Sequence, residues 1–162
     1  MDRYTGKMIR YGKKLLPYED NIGDAVQDIF ITVYRNIGDF DAVRRFSPWI
    51  YRIAHNAFVD VLRKKTKEPI PVFDWNRIIP HVLHEEEEPV DRKEKEEMGV
   101  LLNKEIKNLP PAYREIIDLY YFENFSYKEI ADILHLPVGT VGIRLSRARE
   151  ALKKKIPKDY YE

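Results

Sequence analysis

The sequence predicts an all-α protein of two small helical domains joined by an acidic, proline-containing linker, the second domain carrying a helix-turn-helix. Three observations predict it. Apolar residues recur at spacings of three and four near both ends of the chain, and no stretch of consequence alternates with period two. The charge changes sign along the chain: residues 1–65 hold 12 basic and 8 acidic side chains, residues 66–97 hold 5 and 10, and residues 98–162 hold 11 and 9. Four of the ten prolines (Pro69, Pro71, Pro80, Pro89) fall in the acidic middle, where they interrupt regular structure. The expected units are therefore 1–65, 66–97 and 98–162.

The first unit opens on an amphipathic helix from Asp24 to Ile37. Val26, Ile29, Phe30, Val33 and Ile37 form its apolar stripe, and Asp24, Gln27, Asp28 and Arg35 lie on the other face. Gly38-Asp39-Phe40-Asp41 breaks it. Ser47-Pro48 restarts a helix, because serine accepts a bond from an otherwise unpaired amide and proline is tolerated in the first turn. That helix should run to about Lys65, its basic end complementing the helix dipole. Ile50, Ile53, Ala54, Ala57, Phe58, Val61 and Leu62 are its expected buried face, with Trp49 at the edge.

Opposite that face Arg52, His55, Asn56, Val59 and Arg63 fall together, with Arg44 and Arg45 ahead and Lys64 and Lys65 behind. Phe40, Phe46 and Tyr51 edge the surface. Cations for phosphate, amides for base edges and rings for an unstacked base are what a single strand requires. An aromatic core beneath a solvated basic face would have the same composition, so the residues alone leave both readings open.

The middle segment holds Ile70, Val72, Phe73, Trp75, Ile78, Ile79, Val82 and Leu83, more apolar groups than a flexible tether needs. Packing against a domain and docking onto a partner both account for them. His81 and His84, followed by Glu85 to Glu88, lack the order of the H-E-x-x-H zinc helix, and a solvated acidic tract is the better reading.

In the last unit Ser126-Tyr127-Lys128-Glu129 is a capping box, which starts a helix whose inward residues are Ile130, Ala131 and Leu134. His135-Leu136-Pro137 ends it, since proline disfavours helical geometry in the residue before it, and His135 reads as a turn residue rather than a ligand. A second helix follows from around Pro137 to Thr140, continuing to about Lys155. Val141, Leu145, Ala148 and Leu152 point inward; Thr140, Ile143, Arg144, Arg147 and, further round, Arg149 point outward. Six cations face one anion, Glu150, between Val138 and Lys155. A short capped helix, a tight turn and a basic second helix form a reader of the DNA major groove, although a plain helical hairpin shares the outline.

Composition sets the outer bounds. The 162 residues contain no cysteine, which excludes disulfide scaffolds, thiolate zinc sites and cysteine nucleophiles, and points to a reducing compartment. With 28 basic and 27 acidic residues the chain is not uniformly basic. No run reaches the roughly 18 apolar residues of a membrane span and no signal-peptide pattern opens the chain, so a cytoplasmic location is expected. No phosphate-cradling glycine loop or catalytic triad is evident, and neither enzymatic activity nor a cofactor is expected. A dimeric operator-binding regulator and a protein-interaction module remain as alternatives.

Three stretches resemble the extracytoplasmic-function sigma factors of bacterial RNA polymerase. Asp24 to Tyr34 is similar to the family's polymerase-clamp helix. Arg45 to Asn56, with Asp60 to Lys65, is similar to the helix that melts and reads the −10 element. Leu109-Pro-Pro-Ala-Tyr-Arg, Phe125 to Ala131 and Leu136 to Leu152 are similar to the −35-binding domain. The resemblance implies a promoter-specificity subunit. Asp24, Gln27, Asp28 and Tyr34 would dock on the clamp helices of core polymerase. Phe40, Arg44, Arg45, Arg52, His55, Asn56 and Arg63 would take the −10 bases, and Thr140, Ile143, Arg144, Arg147 and Arg149 the −35 duplex. The helix around Tyr113 to Phe122 would contact the polymerase flap, and an anti-sigma factor would cover both domains; the linker's own acidity and aromaticity, apart from the resemblance, suggest that it tracks through a basic polymerase channel. The sequence departs from the family in three ways. Met1-Asp-Arg-Tyr4 leaves the first helix shorter than usual. Gly142-Ile143 stands where a basic and a small polar residue are common, and the linker is unusually acidic and aromatic.

Overall fold

A computed structural model of the chain describes residues 2–16, 22–66 and 95–156. The described residues form helices α1 (Asp2–Leu15), α2 (Ile22–Asn36) and α3 (Phe46–Thr66), then α4 (Lys95–Lys107), α5 (Pro111–Ile117), α6 (Tyr127–Leu134) and α7 (Val138–Lys153). A 3₁₀ turn (Ile37–Asp39) extends α2, and a π-helical turn (Asp118–Phe122) extends α5. There is no strand among the described residues. The linker's apolar residues, His81 and His84 all lie outside the described residues.

The expected stripes explain most of the first unit, except that Ile37 falls in the 3₁₀ turn beyond α2 and is 47% exposed instead of buried. Ile22, Ala25, Val26, Ile29 and Val33 of α2 are buried against Met8, Tyr11 and Leu15 of α1 and against Ile50, Ala54, Phe58 and Leu62 of α3. α3 begins at Phe46, one residue before the Ser47-Pro48 signal, and the Tyr4 and Ser47 hydroxyls share a hydrogen bond of 2.8 Å. In the second unit Ala112, Ile116 and Ile117 of α5, Ile130, Ile133 and Leu134 of α6, and Val141, Leu145, Ala148 and Leu152 of α7 close a compact three-helix core. α4 lies alongside, with Lys155 reaching Glu105 at 3.3 Å. The capping box at Ser126 is complete: Ser126 Oγ accepts the Glu129 amide at 3.2 Å and Glu129 Oε2 accepts the Ser126 amide at 2.8 Å. His135 ends α6 in the left-handed conformation, φ 53°.

One face of α3 departs from expectation. His55 and Val59, placed on an open surface by helical spacing, are 1% and 8% exposed, and Tyr51 is also buried. The reason is that α6 packs on that side of α3, so this helix serves the cores of both units. Tyr51 stands edge-on to Phe125 with ring centres 5.1 Å apart, and Tyr11 lies tilted against Tyr51 at the same 5.1 Å.

Close approach of α1 to α3 depends on Gly12. A Cβ there would lie 2.8 Å and 2.9 Å from ring atoms of fully buried Phe58 and 3.2 Å from Ile22. Gly12→Ala gains helix propensity of up to about 1 kcal/mol but overpacks a fixed ring, an effect of about 1–3 kcal/mol in the other direction. The expected outcome is net destabilisation by about 1 kcal/mol or more, read from the urea midpoint; a midpoint that rises would show that Phe58 yields freely.

Candidate nucleic-acid interface

α7 sets out its cations by simple periodicity. Steps of four and three bury Val141, Leu145, Ala148 and Leu152, which turns Ile143 and Arg147 outward and leaves Thr140 and Arg144 half-buried at the shoulder of the same side. Ile143 is 56% exposed, an apolar group well placed for a thymine methyl. Arg149 stands apart from these four. Its Nε donates to the Tyr121 hydroxyl at 2.7 Å, and its guanidinium lies over the Tyr120 and Tyr121 rings at 5.6 and 5.5 Å. Gly142 is near Tyr127 but has ordinary room for a Cβ, so packing does not demand a glycine there.

On the first unit, Asp24, Gln27, Asp28 and Tyr34 all lie on the exposed side of α2, beside exposed Ile31. The loop after the 3₁₀ turn is tied by Asp41, whose Oδ1 accepts the Val43 amide at 3.0 Å and whose carbonyl accepts the Arg44 amide at 2.9 Å. Phe40, Phe46 and Trp49 form one half-buried aromatic cluster, with ring centres 4.9 to 5.5 Å apart. It holds the loop against the start of α3 and keeps Arg44 and Arg45 exposed. A groove of about 440 Å³ runs between α2 and α3, lined by Asp28, Ile31 and Arg35 on one wall and Asn56, Asp60 and Lys64 on the other.

The expected −10 residues do not stand free. Arg45 Nη1 meets Glu129 Oε1 at 2.9 Å, Arg52 Nη1 meets Asp132 Oδ1 at 3.5 Å, and Asn56 Oδ1 is 3.0 Å from the His135 Nε2. Arg63 turns back to Asp60 on its own helix at 3.4 Å. His55 is enclosed: its Nδ1 lies 2.9 Å from Glu115 Oε1, which also accepts the Tyr11 hydroxyl at 2.6 Å. Burial, followed by the Glu115 charge, pushes the Tyr11 phenol well above its ordinary range. Lys7 pairs with Glu123 at 2.7 Å, and Lys14 pairs with Asp118, whose carboxyl is raised by burial against the opposing pull of that lysine.

These lysine and arginine pairs across the units have the same polarity: the cation comes from residues 7–52 and the carboxylate from residues 118–132. Sequence periodicity missed this surface because its partners are 60 to 116 residues apart. The uneven charge of α6, with Glu129 and Asp132 on one side, was the available signal.

His135 reports on this contact. Partial burial and the neighbouring Arg52 and His55 hold its imidazole below its ordinary value of 6.5. Its stabilising neutral form is therefore complete above 6.5 and is lost as pH falls through the lower folded value. A proton NMR titration should place His135 below 6.5, and Arg52→Ala should move it upward; an unmoved value would remove Arg52 from its vicinity.

Comparison with known proteins closes the assignment. The family model for sigma-70 region 2 matches residues 1–68, and that for sigma-70 region 4 matches residues 100–152. The chain is 34% identical to the ECF RNA polymerase sigma factor SigW of Bacillus subtilis, over 96% of this chain and 86% of that one. It is also 34% identical to the ECF RNA polymerase sigma-E factor of Escherichia coli K12, over 95% and 83%. The fold is shared with the sigma factor RpoE of Bartonella quintana, solved in complex with the anti-sigma factor NepR. That match has a TM-score of 0.68 and 23% identity, covering 93% of this chain and 89% of that one. A capped helix-turn-helix with a cationic outer face, a region 2 helix bundle ahead of it and near full-length likeness lead to one conclusion: the chain belongs to the ECF sigma factors of RNA polymerase.

Proposed function

We propose that this sigma factor, a promoter-recognition subunit of RNA polymerase, divides its task between two faces. The units 1–65 and 98–162, joined by 66–97, would read the −10 and −35 elements respectively. The observation that carries the −35 assignment is the α7 surface, where Thr140, Ile143, Arg144 and Arg147 share one side of a helix that follows the tight turn after capped α6. Arg149, held by Tyr121, would support the domain's aromatic side and meet phosphate only after leaving that ring.

On the first unit, the Phe40–Arg45 loop, Arg52, Asn56 and Arg63 would receive unstacked −10 bases, whereas His55, 1% exposed beside Glu115, is too deeply buried to meet a base. The exposed α2 residues Asp24, Gln27, Asp28 and Tyr34 would dock on the polymerase clamp. Exposed Tyr121 and Phe122, 50% and 53% accessible at the end of α5, suit a contact with the flap. An anti-sigma factor is a further partner of this reading, supported by the complex in which the RpoE neighbour was solved. No helix among the described residues is long and apolar enough to cross a membrane, which agrees with work in the cytoplasm beside the polymerase.

Transcription in vitro with core polymerase, with and without this protein, is the direct test: initiation at defined sites should require it. Arg144→Ala should weaken binding of the holoenzyme to −35 duplex and lower the magnitude of the salt slope by about one. A slope that does not change would take Arg144 out of the groove.

A further inference from the structure

Helix α7 carries a glycine that its own fold does not require. Gly142 stands in the second turn, where glycine is a poorer helix former than any residue but proline. It has no positive φ, and a Cβ there would meet only the Tyr127 ring, at 3.5 and 3.9 Å, an ordinary contact. What glycine supplies at this place is space. Each helical step turns about 100°, so position 142 falls between buried Val141 and outward Ile143. The missing side chain leaves a recess floored by the α7 backbone, with the Tyr127 ring as one wall and exposed Ile143 as the other. The Tyr127 wall is held in place. It is the first residue of α6, directly after the Ser126 cap, and its ring stands edge-on to Tyr120 at 5.4 Å.

We propose that this recess seats one thymine methyl group of the −35 duplex, which makes Gly142 and Tyr127 specificity-determining residues. The inference rests on the groove-reading role given to α7 above. Bases present one methyl in the major groove, the C5 substituent of thymine, and proteins read it by apolar contact. A residue without a side chain lets the base edge come close to the helix backbone. Exposed Arg147 and half-buried Arg144 supply the charge that draws the duplex onto the same helix. A cationic side chain at position 142 would cover the recess and favour the N7 and O6 acceptors of guanine instead. The chain thus prefers thymine at one place where a basic residue would prefer guanine.

The test uses the full chain with core polymerase, and the duplex that this holoenzyme enriches from a random-sequence pool in an Arg144-dependent way. Each thymine of that duplex is replaced in turn by uracil, which removes the methyl and keeps the pairing edge. At one thymine the wild-type holoenzyme should lose about fourfold in affinity by fluorescence anisotropy, the scale of one buried methyl group. At that position Gly142→Arg and Tyr127→Ala should each bind the thymine and uracil duplexes equally, while Lys128→Ala, exposed beside Tyr127, should keep the difference. Gly142→Arg should hold or raise the thermal midpoint, because arginine is the better helix former, so its altered reading is not a folding defect. Equal affinity for thymine and uracil at every position in wild type would overturn the methyl seat and leave the −35 assignment standing, as would a difference that survives in Gly142→Arg. Enrichment of no duplex that depends on Arg144 would overturn the −35 assignment and the methyl seat with it.

Discussion

The Glu115 carboxylate joins the two halves of this molecule. It is 4% exposed and lies between the Tyr11 hydroxyl and the His55 ring, so that three helices, α1, α3 and α5, meet on one oxygen. A buried carboxylate is tolerable only when its bonds are made, and removing a partner from such a cluster leaves a polar group stranded at a penalty of several kcal/mol. Arg114, its neighbour in sequence, does the reverse. Its guanidinium donates to the Leu109 carbonyl at 3.1 Å and the Lys14 carbonyl at 3.5 Å, and burial lowers its pKa. Adjacent residues of one short helix thus contribute a buried acceptor and a buried donor to the same junction.

Around that centre the apolar packing and the outer charges agree. Tyr11, Tyr51, Phe58 and Phe125 form a continuous aromatic column from the first core to the second, and the flanking lysines and arginines all face acids of the other unit. The rings supply affinity through buried area and edge-to-face geometry. Exposed charges add little energy individually, but with these cations on the first unit and these acids on the second they draw the same two faces together.

Local signals carried much of the fold. The α2 stripe, the Ser126 capping box and the inward series on α7 depend on spacings of three and four, which the sequence states directly. The outer face of α3 was another matter. Its polar residues satisfy the pattern of a solvated surface, yet Tyr51, His55 and Val59 are buried by a helix more than 60 residues away in sequence. Nothing periodic marks a helix that has two cores to serve. Arg149 shows the same limit on a smaller scale: its position on α7 can be counted, but its attachment to Tyr121 follows from a π-helical turn that local propensity does not announce.

His135 is an unusual choice for the corner it occupies. A left-handed residue after a helix is ordinarily glycine or asparagine, because any larger side chain raises the conformational energy there by about 1 kcal/mol or more. A glycine would relax that corner but would have no ring to meet Asn56, so the residue at this hinge of the helix-turn-helix is fitted to its distant neighbour more than to its own backbone. One imidazole thus couples the corner of the helix-turn-helix to α3: without the Asn56 contact the same backbone strain would remain with nothing to offset it.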